Sequence, residues 1–168
     1  GRALLTRVYD PHSHNISFII NLHLLWDGNH TTATSILKLI SARITEADYV
    51  YLLGDFNFVQ DRHKDRSCAD GPSPPSSFLT AWHRFTSTHL LTEIHQPSHT
   101  HFSSTHVDTA NTSRIDRIYT SHTEAERGAY RPFSYLSHVP NTLLTSTGKG
   151  GDRSPGISDH VPVSLAFP

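Results

Sequence analysis

Four apolar, strand-like runs of the sequence carry polar side chains at one end, and the types of those side chains are suited to catalysis. They are His23, Asp55, Asn57, Asp116, Asp159 and His160. An imidazole that is paired with a carboxylate makes a general base. Carboxylates bind hard divalent cations, and an amide can orient a water molecule or a phosphate. Together these residue types point to hydrolysis of a phosphoester.

The first half of the chain predicts the elements that must hold these groups. ALLTRV and ISFIINLHL are β-branched, apolar runs that are separated by the turn-forming segment YDPHSHN, and they predict two strands. TTATSILKLISARI places Ile36, Leu37, Ile40 and Ile44 on one stripe, which predicts an amphipathic helix. DYVYLLGDFN then reads as a buried strand that ends at Gly54. The result is a strand, helix, strand unit.

The second half of the chain continues the alternation. Phe78, Trp82 and Phe85 recur at helical spacing after a loop rich in proline and serine, which predicts a shorter second helix. IDRIY predicts another strand, and HVPVSLAFP predicts a last strand with apolar residues at every second position. Strand ends in such mixed folds gather around a crevice, where rigid elements hold side chains in place.

Composition narrows the possible functions. A length of 168 residues indicates one domain, and no apolar run approaches the roughly 18 residues of a membrane span. The net charge is −1, with three lysines against eleven arginines, so any contact with nucleic acid must be local. Fourteen histidines suggest zinc, but Cys68 has no thiol partner and no H-E-x-x-H pattern occurs. Neither a G-x-S-x-G nucleophile elbow nor a complete phosphate-binding loop is present.

The motifs LLGDFN, SRIDRIY and SDHVPV, in this order and preceded by NLH, resemble the endonuclease/exonuclease/phosphatase superfamily. This superfamily includes pancreatic deoxyribonuclease and the apurinic/apyrimidinic endonucleases. SRIDRIY is more similar to the endonucleases of non-LTR retrotransposons than to inositol polyphosphate phosphatases, which carry Cys-Asp-Arg at this point. The resemblance implies an α/β fold, a two-layer β-sandwich flanked by helices of the deoxyribonuclease type. It also implies that residues 1–168 are the C-terminal portion of a single domain, whose N-terminal part, with a metal-binding Glu, is missing.

The resemblance also implies roles for five catalytic residues. Asp116 would pair with His160 and orient its imidazole, which would explain an acid in a strand. Asp55 would position or deprotonate the attacking water, and Asn57 would contact the scissile phosphate. His23 falls where the deoxyribonuclease branch has an imidazole that acts on the leaving group.

Metal and substrate ligands follow from the same resemblance. Asp159 and Asp55 would bind Mg²⁺, with Mn²⁺ as an alternative. Asn57, Asn21 and Arg114 would bind the substrate.

The sequence also allows purely structural roles for these residues in place of the functional ones. The sequence GDFN could form only a turn after a strand. His23 could be a hydrogen-bonded histidine at a strand end, and Arg114 and Arg117 could be solvated charges. His101 could lie at the edge of the substrate site or only in a loop.

The resemblance implies a Mg²⁺-dependent phosphodiesterase that nicks DNA as part of a retrotransposon-type polyprotein. A reverse transcriptase domain would then be its partner in the same polyprotein, no membrane would be involved, and a nuclear or cytoplasmic location is favoured over secretion. One alternative is an inactive fragment or remnant that at most binds nucleic acid or protein, and another is a phosphatase or RNA nuclease of the same superfamily. We expect the 168-residue chain alone to nick weakly or not at all and to expose apolar surface.

Overall fold

The fold was analysed in a computed structural model, which describes residues 2–25, 30–67, 73–94, 99–102, 111–129 and 160. Its strands are β1 (Ala3–Tyr9), β2 (Ile16–His23), β3 (Tyr49–Asp55), β4 (Thr92–Glu93), β5 (His101–Phe102), β6 (Thr112–Ser113) and β7 (Asp116–Thr120). Its helices are α1 (Thr31–Arg43), α2 (Arg62–Asp65), α3 (Ser76–Thr88) and α4 (Glu124–Ala129). The predicted strand at HVPVSLAFP lies outside the described residues, apart from His160. None of the helices in the described ranges is long and apolar enough to cross a membrane.

Five of the strands form one mixed sheet in the order β1-β2-β3-β7-β4. β2 and β3 are parallel, and α1 connects them, while the other neighbours are antiparallel. A parallel pair requires such a crossover connection, which the predicted strand, helix, strand unit supplies. β5 and β6 form a separate two-stranded sheet. The predicted α/β class with helices flanking a sheet is confirmed.

One face of the large sheet carries the hydrophobic core. β2 and β3 alternate in burial, so that Ile20, Leu22 and Leu52 are fully buried in this core. α1 contributes Ala33, Leu37 and Ile40, and α3 contributes Phe78, Trp82 and Phe85. The last three are the residues whose spacing predicted the second helix, and their burial confirms that this stripe belongs to the core.

The opposite face of the sheet is open at β1 and β2. Leu4, Val8 and Ile19 are 65%, 42% and 40% exposed, and the strand register places them on the same face. Isolated apolar side chains are common on protein surfaces, but these three lie on neighbouring strands. The expected exposure of apolar surface is therefore present in the described residues.

Two adjacent isoleucines in β2 allow a test of whether one face of the sheet is buried and the other is open. Ile20→Ala should lower the free energy of unfolding by about 2–5 kcal/mol, because Ile20 is fully buried and its truncation leaves a cavity. Ile19→Ala should cost less than about 1 kcal/mol, because its side chain is 40% exposed on the other face. Urea unfolding of both variants provides the measurement. Equal losses would show that the open face is covered in solution.

Candidate active site

Three of the predicted site residues lie in one row across neighbouring strands. β2 pairs His23 with Asp55 of β3, and β3 pairs Asp55 with Asp116 of β7. Paired residues on adjacent strands project to the same face of a sheet at close spacing. The row is on the face opposite α1 and α3, at the end of the sheet where β2 and β3 stop. Nε2 of His23 lies 3.8 Å from Oδ2 of Asp55.

A close approach between the backbones of β2 and β3 places Asp55. Gly54 has a φ of +133°, and a Cβ at this residue would lie 2.0 Å from the carbonyl oxygen of Leu22. Only glycine adopts this conformation without strain, and a side chain here would force the two strands apart. The glycine that ends the apolar run therefore brings β3 against β2 directly before the site acid.

Asn57 holds the carboxylate of Asp55. The backbone N–H of Asn57 donates to Oδ1 of Asp55 at 2.8 Å, and its Nδ2 donates to Oδ2 of Asp55 and to the Leu24 carbonyl, both at 2.9 Å. Asn57 has a φ of +51°, in the left-handed region that asparagine tolerates better than most residues. GDFN does form a turn after the strand, as the structural explanation of this motif predicted. The turn orients the carboxylate of Asp55. The amide of Asn57 is directed at Asp55 and Leu24.

His160 completes the site above the row. Its Nδ1 lies 2.9 Å from Oδ2 and 3.2 Å from Oδ1 of Asp116, and its Nε2 lies 4.0 Å from Oδ2 of Asp55. The backbone N–H of Asp116 in turn donates to Oγ1 of Thr100 at 3.1 Å. The two residues that the sequence predicted to pair are separated by 44 positions, and the structure brings them into contact.

The site concentrates negative charge in a partly buried position. Burial raises the pKa of the Asp55 carboxyl, and the charge of Asp116 raises it further. The hydrogen bond from Asn57 and the neighbouring His160 and His23 act in the opposite direction but do not cancel the shift. A carboxyl whose pKa is raised towards neutral pH is a better proton acceptor than an ordinary one.

The same residues suit a divalent cation. Asp55, Asp116 and His160 can each offer a ligand atom, and these atoms lie within 4.8 Å of one another. The two carboxylates repel each other and lie beside one imidazole. A hard cation bound between them would relieve that repulsion. Asp159, the other predicted metal ligand, lies outside the described residues.

Solved structures with a similar fold were found, whereas no protein-family model and no curated protein matches the sequence. The endonuclease domain of TRAS1, a telomere-specific non-LTR retrotransposon, superimposes with a TM-score of 0.61 and 10% identity over 99% of this chain. An endonuclease/exonuclease/phosphatase family protein from Leptotrichia buccalis gives a TM-score of 0.55 and 15% identity, also over 99% of this chain.

The chain has the endonuclease/exonuclease/phosphatase fold. The sequence motifs and the three-dimensional structure therefore both resemble this superfamily. The chain spans 63% of the TRAS1 domain and 53% of the Leptotrichia protein. That it forms the C-terminal portion of a single domain stays a prediction.

Within this endonuclease/exonuclease/phosphatase fold, the predicted substrate ligands do not all reach the row. Asn21 lies on the same face as His23, two residues earlier in β2, and is exposed. His23 is also exposed at the rim, with its Nδ1 3.3 Å from Nη1 of Arg2. Arg114 is buried and points elsewhere, so the structure does not bring it to the site.

Arg114 and Arg117 belong to a buried ion-pair cluster that the sequence did not predict. Arg114 donates to Oδ1 of Asp65, at 3.1 Å from Nε and 2.5 Å from Nη2, and also to Glu93. Nη2 of Arg117 donates to Oδ2 of Asp65 at 3.1 Å and to the Phe58 carbonyl at 2.9 Å. The interpretation of these arginines as solvated charges is wrong, because both are buried. The cluster ties the segment before β7 to α2 and β4.

The charge state of Asp65 depends on this cluster. Burial alone would raise the pKa of its carboxyl, but the positive charges of Arg117 and Arg114 outweigh burial and hold that pKa below its ordinary value. Asp65 therefore stabilises the fold at pH values above its pKa in the unfolded chain. That contribution is lost as the pH falls through the lowered pKa of the folded state.

Asp65→Asn should lower the free energy of unfolding at pH 7 by about 3–5 kcal/mol, because it removes the buried carboxylate that the two guanidinium groups share. Urea unfolding measured from pH 7 down to the acid range should show this difference shrinking as the wild-type carboxyl becomes protonated. Glu46→Gln is the matched control, because Glu46 pairs with Arg7 at 3.0 Å on the surface. Its cost should not exceed about 1 kcal/mol. Similar costs for the two variants would contradict a buried cluster.

Asp116→Asn should lower the pKa of the Asp55 carboxyl towards its ordinary value, because it removes a neighbouring negative charge that raises it. Carboxyl ¹³C NMR titration of the wild type and the variant measures this shift. Asp61→Asn, which changes an exposed carboxyl that caps α2, should leave the Asp55 titration unchanged. An unchanged Asp55 titration in Asp116→Asn would show that the two carboxyls are not neighbours in solution.

Proposed function

We propose that this chain carries the catalytic residues of a divalent-metal-dependent phosphodiesterase that nicks DNA. The observation that carries the proposal is the row of His23, Asp55 and Asp116 with His160 hydrogen-bonded above it. An imidazole held by one carboxylate and directed at a second is an arrangement for moving protons. Its position on the endonuclease/exonuclease/phosphatase fold supports phosphodiester hydrolysis.

The proposed chemistry is in-line attack of water on the phosphorus, without a covalent intermediate. Asp116 holds His160 through Nδ1, which leaves Nε2 on the side of Asp55. Asp55, with its raised pKa, positions the water, and the proton of the water passes to Nε2 of this imidazole. His23 stands at the other flank of Asp55 and donates a proton to the leaving oxygen.

A divalent cation is part of the proposal. Asp55 and Asp159 would hold Mg²⁺ or Mn²⁺, in keeping with the sequence motifs. When bound, the ion would neutralise the charge that develops on the phosphate. The crowding of Asp55 against Asp116 supports a cation at this place, because it would relieve their repulsion.

DNA in the setting of a retrotransposon-type polyprotein is the substrate we infer. The structural likeness to the TRAS1 endonuclease domain supports this reading, as does the form of SRIDRIY. A reverse transcriptase domain in the same polyprotein and a nuclear or cytoplasmic location belong to the same proposal. The near-neutral charge favours a few local contacts with the DNA backbone over broad electrostatic binding.

Nicking of supercoiled plasmid tests the function. We expect weak conversion to open circles by the 168-residue chain in Mg²⁺, none in EDTA, and a loss of at least about 100-fold in His160→Ala, because a general base is removed. His83→Ala is the matched control, because His83 is exposed on α3, on the other side of the sheet. Parallel assays with RNA and with phosphate monoesters separate the alternative activities.

Two outcomes would contradict the proposal. Nicking that survives in His160→Ala would place the activity elsewhere. A folded chain that does not cleave but binds DNA would favour the alternative of a binding module without catalysis.

A further inference from the structure

A second histidine contacts the imidazole of His160. The rings of His101 and His160 lie with their centroids 5.0 Å apart at an angle of 61°, an edge-to-face arrangement. The backbones of the same two residues form an antiparallel bridge. His101 therefore touches His160 through both its ring and its main chain.

His101 is itself tied to the segment that carries Asp116. Its Nδ1 lies 3.2 Å from Oγ of Ser113, and β5 pairs His101 with Ser113 of β6. Ser113 precedes Asp116 by three residues. The contacts thus form a closed circuit. Asp116 contacts His160, and His160 contacts His101. His101 contacts Ser113, from which the chain leads back to Asp116.

This circuit of contacts restricts the tilt of the His160 imidazole, which the contact with Asp116 alone does not restrict. The contact with Asp116 fixes the Nδ1 edge of the imidazole, but this contact by itself does not set the tilt of the imidazole plane. The ring of His101, packed edge-to-face with its centroid 5.0 Å from that of the imidazole, opposes a tilt towards it. Nε2 then stays directed towards Asp55, 4.0 Å away. Side chains that act on a reacting group lose efficiency when their supporting contacts are loose.

We propose that His101 is a positioning residue for His160, which sets the tilt of the imidazole through ring packing and is itself held by the hydroxyl of Ser113. This inference rests on the proposed function for its effect on turnover. It does not rest on that function for its effect on the imidazole itself. His101 acts through His160 and does not contact the reacting phosphate.

Three variants of the full chain test the proposal. His101→Ala removes the His101 ring, His101→Phe keeps an aromatic ring there, and Ser113→Ala keeps the His101 ring but removes its contact with the Ser113 hydroxyl. His99→Ala is the matched control, because Nδ1 of His99 contacts Oγ1 of Thr112 at 2.6 Å, a similar bond to the same strand β6. Urea unfolding midpoints confirm that each variant is folded.

Plasmid nicking is the first measurement. His101→Ala should lower kcat about tenfold with KM unchanged, because a misdirected proton acceptor affects turnover and not substrate binding. His101→Phe should recover most of this loss, Ser113→Ala should fall between the two, and His99→Ala should match the wild type. A His101→Phe variant as impaired as His101→Ala, or a His101→Ala variant with normal kcat, would overturn the proposal.

The Cε1–Hε1 NMR signal of His160, assigned by its absence in His160→Gln, is the second measurement and needs no activity. We expect one sharp signal in the wild type and in His101→Phe, and an exchange-broadened signal in His101→Ala, because loss of the ring current alone shifts the signal without broadening it. If the wild type does not nick DNA but the signal changes in this way, the proposed function fails and the positioning role stands. A signal that stays as sharp as in the wild type in a folded His101→Ala variant would overturn the positioning role, whatever the wild-type activity.

Discussion

The close approach of β2 and β3 at Gly54 is the constraint on which the rest of the site depends. The Leu22 carbonyl occupies the space that a Cβ at residue 54 would need, and the two strands stay in register as far as His23 and Asp55. β7 then pairs with β3 so that Asp116 stands beside Asp55. The absence of a side chain at residue 54 therefore allows three polar side chains, one imidazole and two carboxylates, to lie in one row.

Placing two carboxylates close together in a half-buried site costs free energy. Hydrogen bonds around the site and packing in the core offset this cost. The raised pKa of Asp55 reflects that cost, since burial and the charge of Asp116 both disfavour its ionised form. Hydrogen bonds from Asn57 to Asp55 and from the Asp116 backbone to Thr100 keep the two acids in place. A core of aliphatic and aromatic side chains on the opposite face of the sheet supplies the stability that the site does not.

The segment that leads into β7 is fixed from the other side of the sheet. The cluster of Asp65 with Arg114 and Arg117 anchors it, and the backbone N–H of Arg114 also donates to the Asp65 carbonyl at 2.9 Å. The SRIDRIY motif places Asp116 and Arg117, consecutive residues of β7, on opposite faces of the sheet, while Arg114 lies before the strand. Its arginines are directed at the buried cluster, and its acid is directed at the site, next to His160.

The sequence by itself determined the order of β1, β2, α1, β3, α3 and β7, the buried stripes of α1 and α3, and the residue types at the strand ends. These features are local, because hydrophobic periodicity and turn-forming residues act over a few consecutive positions. Only the tertiary structure decided which of those polar residues meet. Asp65 and Arg114 are 49 positions apart, and their pairing depends on the burial of both, so the motif alone could not separate a solvated arginine from a buried one. The contact of His101 with His160 was undetermined for the same reason, since one histidine among fourteen carries no local signal of what it packs against.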